Sequence, residues 1–223
     1  MATTTKTSTY EFFEFPNQSE AEELANTLTH GMGLVLSITG SAALLGFAVR
    51  QGMAGDQFFA TMLYCLSLIA VYAASTFSHA LQEPHRKYLF RVLDQAVIYC
   101  LIAGTYTPFI FLYLPARQSW LVFAIVWGLA LLGFGSKVLL KHRVDAVVVA
   151  NYVLLGWVPA VAIFYLLPFD CLMWMLLGGC LYTAGALFLT FDQRVPFFHA
   201  AWHAFVLLAS AVHFYGVLHY TVV

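Results

Sequence analysis

QAVIYCLIAGTYTPFIFLYLPA, residues 95–116, contains no Lys, Arg, Asp, Glu or His. At about 1.5 Å of rise per residue, a helical run of this length crosses the ~30 Å hydrocarbon core of a bilayer. Residues 118–136, 146–169 and 171–191 form three more such runs. Another three, near residues 25–49, 57–81 and 195–223, lack Lys, Arg, Asp and Glu but carry histidine. None alternates in polarity over about ten residues, as the strands of a membrane barrel must, so the backbone groups have to be satisfied within helices. The chain of 223 residues is 61% hydrophobic and 9% charged, against roughly 25% charge in soluble domains. The sequence therefore predicts an all-α polytopic membrane protein, a seven-transmembrane-helix bundle over residues 25–223 preceded by a cytoplasmic N-terminal segment, residues 1–24.

A formal net charge of −1 and the lack of a basic cluster beyond short loops exclude nucleic acid as a partner. Membrane lipids are the expected surroundings, and the oligomeric state is not readable. The first apolar run follows Glu20, Glu22 and Glu23 rather than a basic region, so it reads as a retained helix and not as a secretory signal. Cys65, Cys100, Cys171 and Cys180 lie in or beside apolar runs without C-x-x-C spacing and read as buried thiols. With seven helices, Lys6, Arg86, Lys87, Arg91, Lys137, Lys141, Arg143 and Arg194 fall on one side of the membrane, and only Arg50 and Arg117 on the other. The positive-inside rule then places the amino terminus in the cytoplasm and Val223 outside, in the plasma membrane.

Outward from residue 95, the first polar group met is Asp94, which this topology puts in the first turn of the third helix. His79 closes the second helix, with Ser75 one turn deeper, and His199 and His203 open the seventh one and two turns inside. Ionisable groups at membrane depth are costly enough to be read first as a functional site. Positions i and i+4 share a helix face, so His199 and His203 can offer two imidazoles to one ion, as H-E-x-x-H does, and His79 would supply a third. Three neutral nitrogens on Zn²⁺ leave a fourth position open to water, the catalytic arrangement. Asp94 is the expected base or orienting acceptor for that water, and Ser75 a hydrogen-bonding partner for the water or a substrate carbonyl. A bis-histidine haem fits less well, because its two imidazoles must face each other across the ring. Hydrogen bonding of single histidines to neighbouring helices is the plainer alternative for each residue alone.

These residues fall in blocks reading ELANTLTH at 23–30, STFSH at 75–79, LDQ at 93–95, AGTYTP at 103–108 and HAAWH at 199–203. In these blocks, and over most of its length, the chain resembles the hemolysin III family, the bacterial branch of the progestin and adiponectin receptor (PAQR) superfamily. The resemblance implies a seven-helix bundle with a cytoplasmic amino terminus. It also implies zinc held near the cytoplasmic face by His79, His199 and His203, beside Asp94 and Ser75. The superfamily is similar to alkaline ceramidases, which are lipid amide hydrolases, whereas hemolysin III members were named for red-cell lysis and linked to membrane-energy homeostasis.

Glu23, Asn26 or Thr27, and His30 form one polar stripe on the first helix, expected to position or gate the metal site. His213 lies deeper on roughly the face of His199 and reads as a buried hydrogen-bonded histidine. Pro108 removes a backbone donor inside the third helix, which is expected to open a turn and point Tyr106 inward. Gly33, Ser37 and Ser41 form a small-residue stripe for close helix packing. His85 and His142 are expected in loops, and residues 10–15 read as an interfacial flap. The expected function is a zinc-dependent hydrolase of lipid amides or esters. The alternatives are a receptor-like or membrane-homeostasis protein with structural zinc, and a cytolysin or channel.

Overall fold

A computed structural model of the chain describes residues 18–53, 55–140 and 146–223. The flap expected at residues 10–15 and the loop histidine His142 lie outside the described residues. Among the described residues there are seven long apolar helices: α1 (Glu20–Arg50), α2 (Gly55–Ala80), α3 (Pro84–Tyr113), α4 (Ala116–Leu140), α5 (Ala146–Ile163), α6 (Phe169–Phe191) and α7 (Phe198–Val217). Each is long and apolar enough to span a membrane, the last with the π-turn Leu218–Val222 and α5 with the short 3₁₀ turn Phe164–Leu166. The chain is a multi-pass membrane protein with an all-α fold.

Three helix starts differ from the sequence expectation. Ser19 caps α1 in a reciprocal box: its Oγ accepts from Glu22 N–H at 3.3 Å, while Glu22 Oε2 accepts from Ser19 N–H at 2.9 Å. The helix thus begins at Glu20, before the apolar run. Glu83 caps α3 by accepting from the backbone N–H groups of Arg86 and His85, and Pro84 occupies the first turn, where its missing donor is harmless. Those two bonds hold the Glu83 carboxyl below the usual carboxylate range. His85, Arg86, Lys87 and Arg91 are therefore helical rather than loop residues, and Asp94 lies about three turns into α3, not in its first turn. Conversely, α7 starts at Phe198, which puts His199 in its first turn.

Neighbouring helices pack in chain order, and α1 closes the ring against α7. α3 is the most enclosed helix, touching α2, α4, α5 and α7, whereas α4 lies outside against α3. Leu132, Leu139 and Val161 are among the exposed apolar side chains, as expected of faces that meet lipid. With no hydrophobic drive between helices in lipid, close approach of small residues and hydrogen bonds hold the bundle. Gly33 illustrates the first: a Cβ there would overlap the Tyr72 ring. The second appears where Trp127 Nε1 donates to Thr107 Oγ1 at 3.0 Å and Tyr182 and Ser210 share a bond of 2.7 Å. Around Pro108, Thr105 and Thr107 donate to the carbonyls of Leu101 and Ala103, and α3 continues to Tyr113.

Candidate metal centre

At the end of the bundle where α1, α3 and α7 start and α2 stops, His79, His199 and His203 meet. Each offers one ring nitrogen to a common point, with those atoms within 4.8 Å of one another. The ring centroids of His79 lie 5.1 Å from those of both His199 and His203, and the latter two are 4.6 Å apart. His79 and His203 are buried and His199 is partly so.

What is done with the other nitrogen of each ring decides how the cluster reads. Glu23 Oε2 accepts from His79 Nδ1 at 2.7 Å, and Asp192 Oδ2 accepts from His199 Nδ1 at 2.9 Å. Thr29 Oγ1 sits 3.3 Å from His203 Nδ1; its own proton points to the carbonyls of Ala25 and Asn26, so it too acts as acceptor. Each acceptor places the imidazole proton on Nδ1 and leaves the Nε2 lone pair free. The Nε2 atoms of His79 and His199 are buried and have no protein partner. A buried nitrogen lone pair costs free energy unless a donor or a metal ion engages it. Carboxylates behind the ligating imidazoles are also the usual outer support of a metal ion. The three histidines can therefore hold a metal ion, and no other group of three or more His, Cys, Asp or Glu side chains among the described residues is so arranged.

The supporting groups extend across helices. Glu23 Oε1 accepts from both Arg91 Nη2 and Lys87 Nζ at 2.8 Å, which fixes α1 against α3. His30 stacks on His203 with ring centroids 3.5 Å apart, and neither of its nitrogens has a partner. Asn26 Nδ2 donates to Gln18 Oε1 at 2.9 Å while its buried Oδ1 is unpartnered. Phe197 adopts φ 62°, a left-handed conformation uncommon for a bulky residue, and its N–H donates to Glu22 Oε1 at 2.9 Å, clasping the α6–α7 turn to α1.

A cavity of ≈ 100 Å³ opens at the histidines and is also lined by Ser78, Asp94, Gln95 and Asp192. Ser78 Oγ lies 3.5 Å from Asp94 Oδ2, and the fully buried Ser75 hydroxyl, near the same carboxylate, makes no protein hydrogen bond of good geometry. Val71, Ile98, Tyr152, Leu189, Trp202 and Val206 line this cavity and also a second chamber of ≈ 100 Å³, mostly apolar, that runs deeper between α3, α5, α6 and α7.

Of the residues singled out in the sequence, Ser75, His79, Asp94, His199 and His203 come together with Glu23, Asn26 and His30. Tyr106 does not join them. Its hydroxyl donates to the Gly156 carbonyl on α5, and the residue lines the deeper chamber, since it lies about 18 Å further along α3 than Asp94. His213 is buried, as expected, with Nε2 donating to the Met175 carbonyl at 3.1 Å. Asp192 and Thr29 were not foreseen. The one available signal is an acidic residue seven positions before one of the clustered histidines, and it reads in the sequence as a helix-end charge. Lys137, counted in the sequence among the basic residues on one side of the membrane, is buried inside α4.

Comparison with known proteins shows the family to which the chain belongs. A family model described as haemolysin-III related matches residues 18–214. The chain is 39% identical over 202 residues to Hemolysin-3 of Bacillus cereus, covering 89% of this chain and 91% of that protein. It is 36% identical over 204 residues to the Hemolysin-3 homolog of Bacillus subtilis (strain 168), covering 90% and 95%. Monocyte to macrophage differentiation factor of Homo sapiens is 30% identical over 210 residues, covering 89% and 84%. No solved structure matches the chain. By the match over residues 18–214 and by these relatives, the chain belongs to the haemolysin-III related family.

Proposed function

We propose that this protein is a zinc-dependent hydrolase of lipid amides or esters, working at the cytoplasmic leaflet of the plasma membrane, with its amino terminus in the cytoplasm and Val223 outside. The observation that carries the reading is the pair of buried, partner-free Nε2 atoms on His79 and His199. They share one cavity with Asp94, and that cavity adjoins an apolar chamber. Three imidazoles without a thiolate favour zinc over softer ions. His79, His199 and His203 would hold the ion, which would supply Lewis acidity toward a water or an acyl carbonyl.

The remaining roles belong to the chain. Asp94 takes the proton that the attacking water loses and returns it to the leaving amine or alcohol. Ser75, whose hydroxyl is otherwise unpartnered, donates to the acyl oxygen as negative charge builds on it. Glu23, Asp192 and Thr29 hold the three rings at Nδ1 so that no imidazole reorients during turnover. The apolar chamber keeps the acyl chain away from water and sets the carbonyl near the histidines.

Turnover of a long-chain N-acyl amide by purified, zinc-loaded protein in mixed micelles tests this. Asp94→Asn is expected to keep its zinc and lose at least about 100-fold in rate, the usual size of a general acid–base contribution. Equal rates would remove Asp94 from the mechanism. A structural role for zinc is the second reading, favoured by the ligands coming from α2 and α7, which are not chain neighbours. There, zinc removal would lower the melting temperature while no lipid amide or ester was ever consumed.

A further inference from the structure

Lys137 is 1% exposed, on α4 at the edge of the bundle, although its ammonium would be stable in water only a turn away at the helix end. Burying such a charge is costly unless it is well paired. Its Nζ donates to Gln95 Oε1 at 3.2 Å. From α5, the Tyr152 hydroxyl donates to the Gln95 backbone carbonyl at 2.8 Å. Two helices thus converge on a residue that lies next to Asp94 and lines the histidine cavity.

We propose that Gln95 holds the carbonyl oxygen of an acyl amide or ester in this cavity through its side-chain N–H donors, with Lys137 as the positioning residue that fixes the direction of the amide. A glutamine amide offers an acceptor at one corner and donors at the other, and with weak partners it can turn over. An ammonium group has donors only, so it binds the oxygen and compels the NH₂ to point elsewhere. That NH₂ has no hydrogen-bond partner among the described residues, and the space its residue lines is the cavity. The group it suits is a neutral acceptor on a buried ligand, which is what an acyl carbonyl presents. This assignment rests on the cavity's being an acyl-ligand site, as proposed above, but not on the ligand's being hydrolysed.

The test is binding of an uncharged C18 primary amide to the full-length protein in nanodiscs, by titration calorimetry, with hydrolysis followed separately. Gln95→Glu is the informative variant: it keeps the size and pairs with Lys137, yet presents acceptors alone. Its affinity is expected to fall about tenfold, the worth of one buried hydrogen bond lost against an acceptor, with the melting temperature unchanged. Lys137→Met, which leaves the amide free to turn, is expected to weaken binding by a smaller factor, about threefold. In the unmutated protein the Gln95 side-chain ¹⁵N resonances are expected to shift on titration, a readout that needs no variant to fold. Unchanged affinity in Gln95→Glu, unshifted resonances, or failure of the unmutated protein to bind the amide would each overturn the assignment. Tight, Gln95-dependent binding without hydrolysis would instead defeat the hydrolase reading and leave this one standing.

Discussion

Substitution of Glu23 or Asp192 distinguishes a metal centre from three histidines that happen to pack together. Both hold an imidazole by Nδ1, at 2.7 and 2.9 Å, and neither reaches the shared point itself. If the rings coordinate an ion, Glu23→Gln or Asp192→Asn is expected to weaken zinc about 10- to 100-fold, measured by competition with a chromophoric chelator. If they do not, the same changes would alter only stability. The clustered histidines were visible in the sequence because imidazoles stand out in apolar runs and an i, i+4 pair announces a shared face. Asp192 was not, since it lies just past the end of an apolar run and comes back to His199 only through the α6–α7 turn. Glu23 was visible as part of a stripe on α1, but its reach to His79 depends on how α1 packs against α2, which no local pattern specifies.

Helix contacts made by small residues give a second expectation. A Cβ at Gly33 would enter the Tyr72 ring, which is 1% exposed and cannot retreat. Gly33→Val is therefore expected to destabilise the bundle by about 1–3 kcal/mol in reversible unfolding in detergent, as overpacked cores do. Gly46→Ala, with open space around it, is the control expected to have no such cost. Helix existence was plain from charge-free runs, but helix starts were less so. Glu83 followed by Pro84 is a start signal written in the sequence, yet Arg86, Lys87 and Arg91 disguise it as a loop. Two of those cations turn inward to Glu23, so the residues that looked like topological markers are also structural partners of the histidine cluster. Lys137 misleads in the same way, by turning from the helix end toward Gln95.

For the molecule in its membrane, the asymmetry of basic residues predicts one topology. Single cysteines placed near residue 18 and at Val223 are expected to be labelled by an impermeant maleimide from the cytoplasmic and the external side respectively. Labelling in the opposite sense would move the histidine end of the bundle to the outer leaflet and contradict the proposed entry of a lipid from the cytoplasmic leaflet. The number of helices and the membrane class needed only composition and run length, because the bilayer imposes both. The ring closure of α1 on α7, which brings Glu23, Thr29 and His30 to residues of α2 and α7, is a tertiary fact and became apparent only with the structure.

Metal content of the purified protein, by elemental analysis after exchange into metal-free buffer, stands above the other tests. One zinc per chain is expected for the unaltered protein, and essentially none when His199→Ala and His203→Ala are combined. Stoichiometric zinc in that double variant, or none in the unaltered chain after incubation with the ion, would contradict a centre built on His79, His199 and His203.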